Sequence, residues 1–265
     1  MVFLGGLVEL LSKNLYSGPQ VYLREVLQNG VDAITARTDL DPDAPARVRL
    51  EPWVDGAGIT ITDTGIGLTV TQAEEFLATI GRTSKRDEVL GEGRAEYLGQ
   101  FGIGLLACFL IADAVEVTSR SATPGEAPVR WVGLADGTFE VQTLADAEVE
   151  IGTTISLKAR ADATHWVAEE TVVTLPSDYG DMLPLDVSVR VNAGGQRVWR
   201  RISRTGLPWA VAVEKGAEGT EHGSTAPNPH ETAMALTNYA EASLGFTPLA
   251  TIPLNVPATG TTGVA

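Results

Sequence analysis

Apolar residues at helical spacing open the readable part of the chain. Leu7–Leu15 reads as a short helix, and Pro19–Arg37 as a longer one whose stripe is Leu23, Leu27, Gly30 and Ile34. A Pro/Asp loop at Asp39–Pro45 separates it from two alternating segments, Arg47–Trp53 and Ile59–Asp63, which read as strands joined by a turn at Asp55–Gly58. Thr71 and Glu74 have the spacing of a capping box. The helix they open would bury Ala73, Phe76, Leu77 and Ile80. Arg82–Leu98 breaks the pattern: it is polar, mixed in charge, and interrupted by Gly91 and Gly93, as expected of a mobile surface segment.

The pattern then resumes with a buried helix over Gly102–Ala112. Strands follow at Val115–Arg120, Val129–Leu134, Phe139–Thr143 and Thr154–Ala159, then helical signal at Thr164–Leu175. Leu185–Asn192 and Gln196–Ser203 form a hairpin about Ala193–Gly195. Six or more alternating strands, with three or four helices set apart from them, predict an α+β two-layer sandwich: a mostly antiparallel sheet with helices on one face. From about Thr205 the composition changes. Glu214–Pro229 reads as a flexible loop, Glu231–Leu244 as a helix, and the tail from Pro257 as small and polar with no closing element. Residues 1–204 therefore read as one domain and 205–265 as the incomplete start of another.

Four groups of residues stand out against this frame. Glu25, Asn29 and Asp32 lie at i, i+4 and i+7 of the long helix and share one face beside its apolar stripe. By themselves they fit a solvated polar face better than a site that positions a divalent cation and a water. Asp63 has the same strand parity as Ile59 and Ile61, so it points into the core, where a carboxylate needs a donor. Gly65 and Gly67 follow at once, allowing close backbone approach. This suits either an Asp capping its own turn or a carboxylate that accepts from the exocyclic amine of adenine. Gly99, Gln100, Phe101, Gly102, Ile103 and Gly104 lead into a helix, so their backbone N–H groups make an anion site. No βαβ unit surrounds them and no Gly-Lys-Ser/Thr follows, which separates them from dinucleotide-binding and P-loop patterns. Last, Gly152-Thr153-Thr154 opens a strand with hydroxyls at its start.

Charge and cysteine count narrow the class further. A net charge of −15 argues against a general nucleic-acid or anionic-membrane binder, and an anionic ligand would need local donors to offset it. The hydrophobic fraction of 44% supports a sizeable core. Cys108 is the sole cysteine, so no intrachain disulfide exists and a reducing, cytoplasmic location is expected. Met1–Leu11 is apolar but lacks a basic start and contains Glu9, unlike a secretory signal, and the longest apolar run, Phe101–Val115, is too short to span a bilayer.

Taken in order, the Glu-x-x-x-Asn-x-x-Asp-Ala helix, Asp-x-Gly-x-Gly, a lid-like segment, G-x-x-G-x-G and Gly-Thr resemble the signature of the GHKL ATPases. Local wording is similar to the 90-kilodalton heat-shock chaperone branch: Tyr22-Leu23-Arg24-Glu25, Thr79-Ile80-Gly81-Arg82-Thr83-Ser84, and Leu98-Gly99-Gln100-Phe101-Gly102-Ile103-Gly104. The resemblance is specific from about Leu11 to Leu157 and looser to Ser203. It implies the Bergerat form of the two-layer sandwich. It also implies ATP or ADP with Mg²⁺ as ligands: Glu25 as general base, Asn29 as metal ligand, and Asp63 with Thr153 as readers of adenine. Asp32, Gly67, Leu68, Gly99, Gln100, Phe101, Gly102, Ile103 and Gly104 would complete the nucleotide site. Arg24 is placed to pair with Glu25 when no nucleotide is bound.

The implied function is slow Mg-dependent ATP hydrolysis driving a chaperone cycle. The other readings are a nucleotide-regulated binding module with little hydrolysis, or a topoisomerase- or mismatch-repair-type ATPase. A sensor kinase fits less well, because His165, His222 and His230 all follow the nucleotide motifs. Expected partners are adenine nucleotide and, for the full-length protein, unfolded clients, with no nucleic acid and no membrane. The chain itself is expected to be monomeric and the full-length protein a homodimer. In the family an arginine from the next domain reaches the γ-phosphate; such a group is worth roughly 10³–10⁵ in rate elsewhere, so turnover by this chain is expected to be weak. Phe76 replaces an asparagine near the ribose, Arg82 and Ala36 replace lysines, and the lid is shorter. These departures bear on lid closure and on ribose and phosphate affinity.

Overall fold

The computed structural model describes residues 18–80, 104–136, 138–144, 148–180, 183, 185–203, 234, 236–238, 241, 247–250, 253–256 and 261–264. The chain divides into two compact units, Met1–Ser203 and Arg204–Ala265. The first unit runs α1 (Val21–Thr38), β1 (Arg47–Pro52), β2 (Gly58–Asp63), α2 (Val70–Ile80), β3 (Ala112–Arg120), β4 (Val129–Leu134), β5 (Phe139–Thr143), β6 (Gly152–Ala159), α3 (Glu169–Gly180), β7 (Asp186–Ala193) and β8 (Gln196–Arg201). Its strands form one sheet in the order β5-β4-β3-β6-β2-β1-β7-β8. Every pairing is antiparallel except β1 with β7.

Register makes one face of this sheet apolar. Leu50, Ile61, Ile155, Val117 and Trp131 lie in one row across five strands, and Pro52, Ile59, Leu157, Val115 and Gly133 in the next. Nearly all are buried. Burying each such aliphatic side chain contributes about 1.5–3 kcal/mol, so these rows carry much of the unit's stability. Helix α1 rests on this face: a Cβ on Gly30 would stand 3.2 Å from Val48 Cγ2. Helix α3 packs against β7, β1 and α1, and α2 against β4 and β5. Tyr22, fully buried, ties α1 to the short helical turn Thr164–Trp166 by donating its hydroxyl to the Trp166 carbonyl at 3.0 Å.

The opposite face is polar. Thr60 and Ser156 hydroxyls lie 3.3 Å apart, Thr62 and Thr154 hydroxyls 3.1 Å, and Arg130 forks onto Glu116 at 2.9 and 2.7 Å. The fold is thus the α+β sandwich expected from the alternation, one sheet face carrying helices and core, the other carrying hydroxyls and ion pairs.

Several local expectations are corrected. The cap of α2 is Thr69 with Gln72, not Thr71 with Glu74: Gln72 N–H donates to Thr69 Oγ1 at 3.2 Å and Thr69 N–H to Gln72 Oε1 at 2.9 Å. The segment after Gly104 tightens into a short 3₁₀ turn at Ala107–Leu110, and β3 starts at Ala112, three residues before Val115. Helix α3 begins at Glu169, after the separate turn at Thr164–Trp166. The β7–β8 hairpin closes through Gly194 (φ 60°) and Gly195 (φ 84°), a conformation matched to strand twist. In the second unit, residues 234, 236–238 and 241 are helical. The tail is not featureless: β9 (Pro253–Val256) and β10 (Thr261–Val264) pair antiparallel. The helix expected at Leu7–Leu15 lies outside the described residues, as does the lid-like Arg82–Leu98.

Candidate functional site

The apolar face ends in one polar row. Val48, Asp63, Thr153, Ser119 and Val129 are successive partners across β1, β2, β6, β3 and β4. Asp63, at the end of β2, therefore sits on the helix side of the sheet, as its parity with Ile59 and Ile61 requires. Gly30 of α1 lies directly above it, where an added Cβ would be 3.5 Å from Asp63 Cβ.

Asp63 retains some open surface, yet burial pushes its carboxyl from 3.8 up to about 7. Hydrogen bonds from the backbone of Gly65 and Thr153, and the charge of Arg37, act against that rise. The Gly65 N–H donates to Asp63 Oδ1 at 2.8 Å. Gly65 is glycine for a steric reason: a Cβ there would fall 2.4 Å from Ala33 Cβ. Gly67 is doubly constrained, with φ 67° and an added Cβ 1.9 Å from the Arg120 carbonyl oxygen. The turn after Asp63 is thereby pressed between α1 and β3, and Ile66 N–H bonds to the Ala33 carbonyl at 2.9 Å.

Ser119 and Arg37 are part of this arrangement. The Ser119 hydroxyl, fully buried, donates to the Gly152 carbonyl at 2.9 Å, accepts from Leu68 N–H at 2.9 Å, and lies 3.0 Å from Thr153 Oγ1. It joins the glycine turn to the start of β6. Arg37 Nη1 donates to the Thr64 carbonyl at 2.9 Å and to the Ile151 carbonyl at 3.4 Å, tying the end of α1 to both strand ends. Neither residue was singled out from the sequence for this part. Ser119 was detectable there: it interrupts the apolar alternation of Val115 and Val117 with a polar group of the same parity.

On α1, Glu25 and Asn29 converge on Gly104. A Cβ at Gly104 would stand 3.1 Å from Asn29 Nδ2, 3.3 Å from Asn29 Oδ1 and 3.3 Å from Glu25 Oε2. Only a glycine leaves that space open between the carboxamide, the carboxylate and the start of the next helical segment. Glu25 Oε1 accepts from Arg24 Nη2 at 2.9 Å, both side chains being partly exposed. Asp32 lies on the same helix but turns to Gln28, whose Nε2 donates to its Oδ1 at 2.9 Å.

Glu25, Asn29 and Gly104 thus form one cluster, and Asp63, Thr153, Gly67 and Leu68 another at the strand ends. Gly30, adjacent to Asn29, makes the link between the two. Gly99, Gln100, Phe101, Gly102 and Ile103 lie outside the described residues.

Two cavities flank the site. One of about 20 Å³ on the helix face is lined by Leu68, Ala73, Leu105, Val117, Ser119, Val129 and Trp131, which also shows α2 on that side of the sheet. A larger one, about 280 Å³, lies at the same strand ends but reaches the outer-face hydroxyls of Thr62, Thr118 and Thr154, with Glu148 and Glu150 on its wall. Glu25 and Asn29 lie on the helix side and do not line the larger cavity. Cys108 is inert core: it is fully buried, and burial pushes its thiol up to about 12.

A helix-faced antiparallel sheet, with a buried Asp-Thr-Gly turn under a Glu/Asn-bearing helix, defines the GHKL class of domain. In agreement, the family model described as histidine kinase-, DNA gyrase B- and HSP90-like ATPase matches residues 16–162, and the chain belongs to that family. Its similar proteins include the chaperone protein HtpG of Actinobacillus succinogenes (28% identical, covering 95% of this chain and 43% of the relative). HtpG of Polaromonas is 34% identical over 68% of this chain and 31% of the relative. The mitochondrial 75-kilodalton heat shock protein of Bos taurus is 31% identical over 73% of this chain and 29% of its own length. The chain spans less than half the length of these curated relatives.

Proposed function

We propose that the first unit binds ATP or ADP between α1 and the polar end of the sheet, and hydrolyses ATP slowly. The observation that carries this reading is the Asp63–Gly65–Thr153 strand end lying one helical step from Glu25, Asn29 and Gly104. Asp63 accepts from the adenine amine while the Gly65 N–H orients its other lone pairs. Thr153, held by Ser119, presents a hydroxyl beside it. Gly67 and Leu68 line the base, and Gly104, with Gly99, Gln100, Phe101, Gly102 and Ile103 before it, offers backbone donors to the phosphates.

Glu25 is the general base: its carboxylate takes the proton of the attacking water once nucleotide displaces Arg24. The space bounded by Asn29 Oδ1 and Glu25 Oε2, which a Cβ on Gly104 would fill, suits a hydrated Mg²⁺. Bound there with the phosphates, the ion would neutralise charge developing on them. Asn29 would contribute its Oδ1 as ligand. Among the described residues no cluster of three or more His, Cys, Asp or Glu could hold a metal, so the phosphates would supply most of the anionic donors. Asp32 acts at one remove, through its bond with Gln28.

In the whole protein this cycle drives a chaperone that acts on unfolded clients as a cytoplasmic homodimer, the second unit opening its next domain. Support comes from the HtpG relatives. Single-turnover hydrolysis by the full-length protein tests the reading. Hydrolysis abolished by Glu25→Ala with ATP binding retained agrees with it; equal hydrolysis by variant and wild type overturns it.

A further inference from the structure

The outer face of the sheet carries a feature unrelated to the nucleotide site. Residues of alternate parity on β1, β7 and β8 bring Arg49, Arg190, Arg197 and Arg201 around Trp199. Trp199 stands directly across from Arg190, with Arg201 opposite Ser188 and Arg197 opposite Asn192. The guanidinium carbons of Arg49 and Arg190 lie 5.0 and 5.1 Å from the Trp199 ring centroid. Trp199 is nevertheless 39% exposed. Among the described residues Asp186 meets Arg49 at 3.1 Å and Arg201 at 4.0 Å, and Glu51 meets Arg197 at 3.9 Å. Arg190 makes no ion pair among the described residues, and its Nε is buried without a hydrogen-bond partner.

This is a positive patch on a chain of net charge −15. All the cations of β7 and β8 are arginine, the side chain that forks onto carboxylates and stacks on rings. Arginine and tryptophan are also the residues concentrated at the energetic centres of protein interfaces. With Arg190 lacking an ion pair among the described residues, the patch matches a short run of carboxylates that fits within it, whereas an extended polyphosphate chain would run beyond it onto a chain of net charge −15. We propose that the outer face of β1, β7 and β8 is a docking surface for an acidic segment of a partner protein, with Trp199 as its apolar anchor. The partner's carboxylates pair with Arg190 and the neighbouring guanidiniums, while an apolar side chain covers the exposed part of the indole.

The test uses this chain and a fluorescently labelled Asp/Glu-rich peptide carrying one phenylalanine, followed by anisotropy. An Asn/Gln counterpart is the neutral control. The acidic peptide should bind, and weaken steeply with added salt. Arg49→Gln with Arg190→Gln, and separately Trp199→Ala, should each weaken it about tenfold or more. Nucleotide affinity, which uses other residues, should stay unchanged in both variants and reports that they are folded. Arg190→Gln alone gives a milder change should the others fail to fold, and it too should weaken binding. Equal binding of the neutral peptide, unchanged affinity in Arg190→Gln, or displacement of the peptide by single-stranded RNA at equal charge would overturn the proposal.

Discussion

Asp63 Oδ1 accepts the Gly65 backbone N–H at 2.8 Å, so the carboxylate that faces the helix side is oriented by the turn it opens. An asparagine at this position cannot satisfy both sides. With Oδ1 kept on Gly65 N–H, the amide NH₂ would face the adenine amine or the Thr153 N–H, donor against donor. Asp63→Asn is therefore expected to lower ATP and ADP affinity roughly 5- to 150-fold, the ~1–3 kcal/mol of an unpaired buried donor. Calorimetric titration of the two proteins reads this directly.

The same substitution should stabilise the empty protein at higher pH. The folded carboxyl titrates at about 7 and the unfolded one at 3.8. Between these values the folded state holds a proton that the unfolded state has released, so stability falls as pH rises through this window. Asparagine carries no such penalty. The Tm difference between Asp63→Asn and wild type should widen in the variant's favour from pH 3.8 to 7 and then level off.

Nucleotide binding near neutral pH should release protons. An amine donated to Asp63 favours the ionised carboxylate and lowers its pKa. Titrations in buffers of different ionisation enthalpy should give apparent binding enthalpies that vary with buffer, with fractional proton release on binding. In Asp63→Asn any residual binding should lose that dependence.

Gly104→Ala should separate folding from phosphate chemistry. Its methyl would press on the ends of Asn29 and Glu25 side chains at 3.1–3.3 Å, which can yield by a few tenths of an ångström without disturbing the core. We expect a Tm close to wild type, with ATP hydrolysis reduced about tenfold or more by misplacement of the general base. Thermal melts and single-turnover assays distinguish the two effects.

Ser119→Ala removes three contacts at once from a buried hydroxyl. Leaving Leu68 N–H without a partner should cost about 1–3 kcal/mol in unfolding free energy. Denaturant titration measures this, and Ser119→Thr, which keeps the hydroxyl, should recover part of it.

The strand alternation made most of this legible in the chain. The parity of Ile59, Ile61 and Asp63 put the carboxylate on the core side, and the i, i+4 spacing put Glu25 and Asn29 on one helix face. Non-local pairings were not legible. Nothing local in Arg47–Pro52 announces a parallel partner some 140 residues later, since β1–β7 pairing rests on packing by α3. Ser119 was overlooked because a serine within a strand reads as solvent-facing unless its parity is counted. The α2 cap was misplaced because two overlapping S/T-x-x-E/Q patterns compete; the helix begins at Val70, directly after Thr69, so Thr71 already lies inside it. The pairing of β9 with β10 was hidden by strands only four residues long, too short to show an alternation.

The central claim, that Asp63 reads adenine from the floor of a site on the helix side of the sheet, is tested most directly by titrating ADP into wild type, Glu25→Ala and Asp63→Asn under one set of conditions. Saturable binding of similar affinity by the first two and clearly weaker binding by the third is the predicted result. Failure of wild type to bind ADP, or equal affinity in Asp63→Asn, would contradict it.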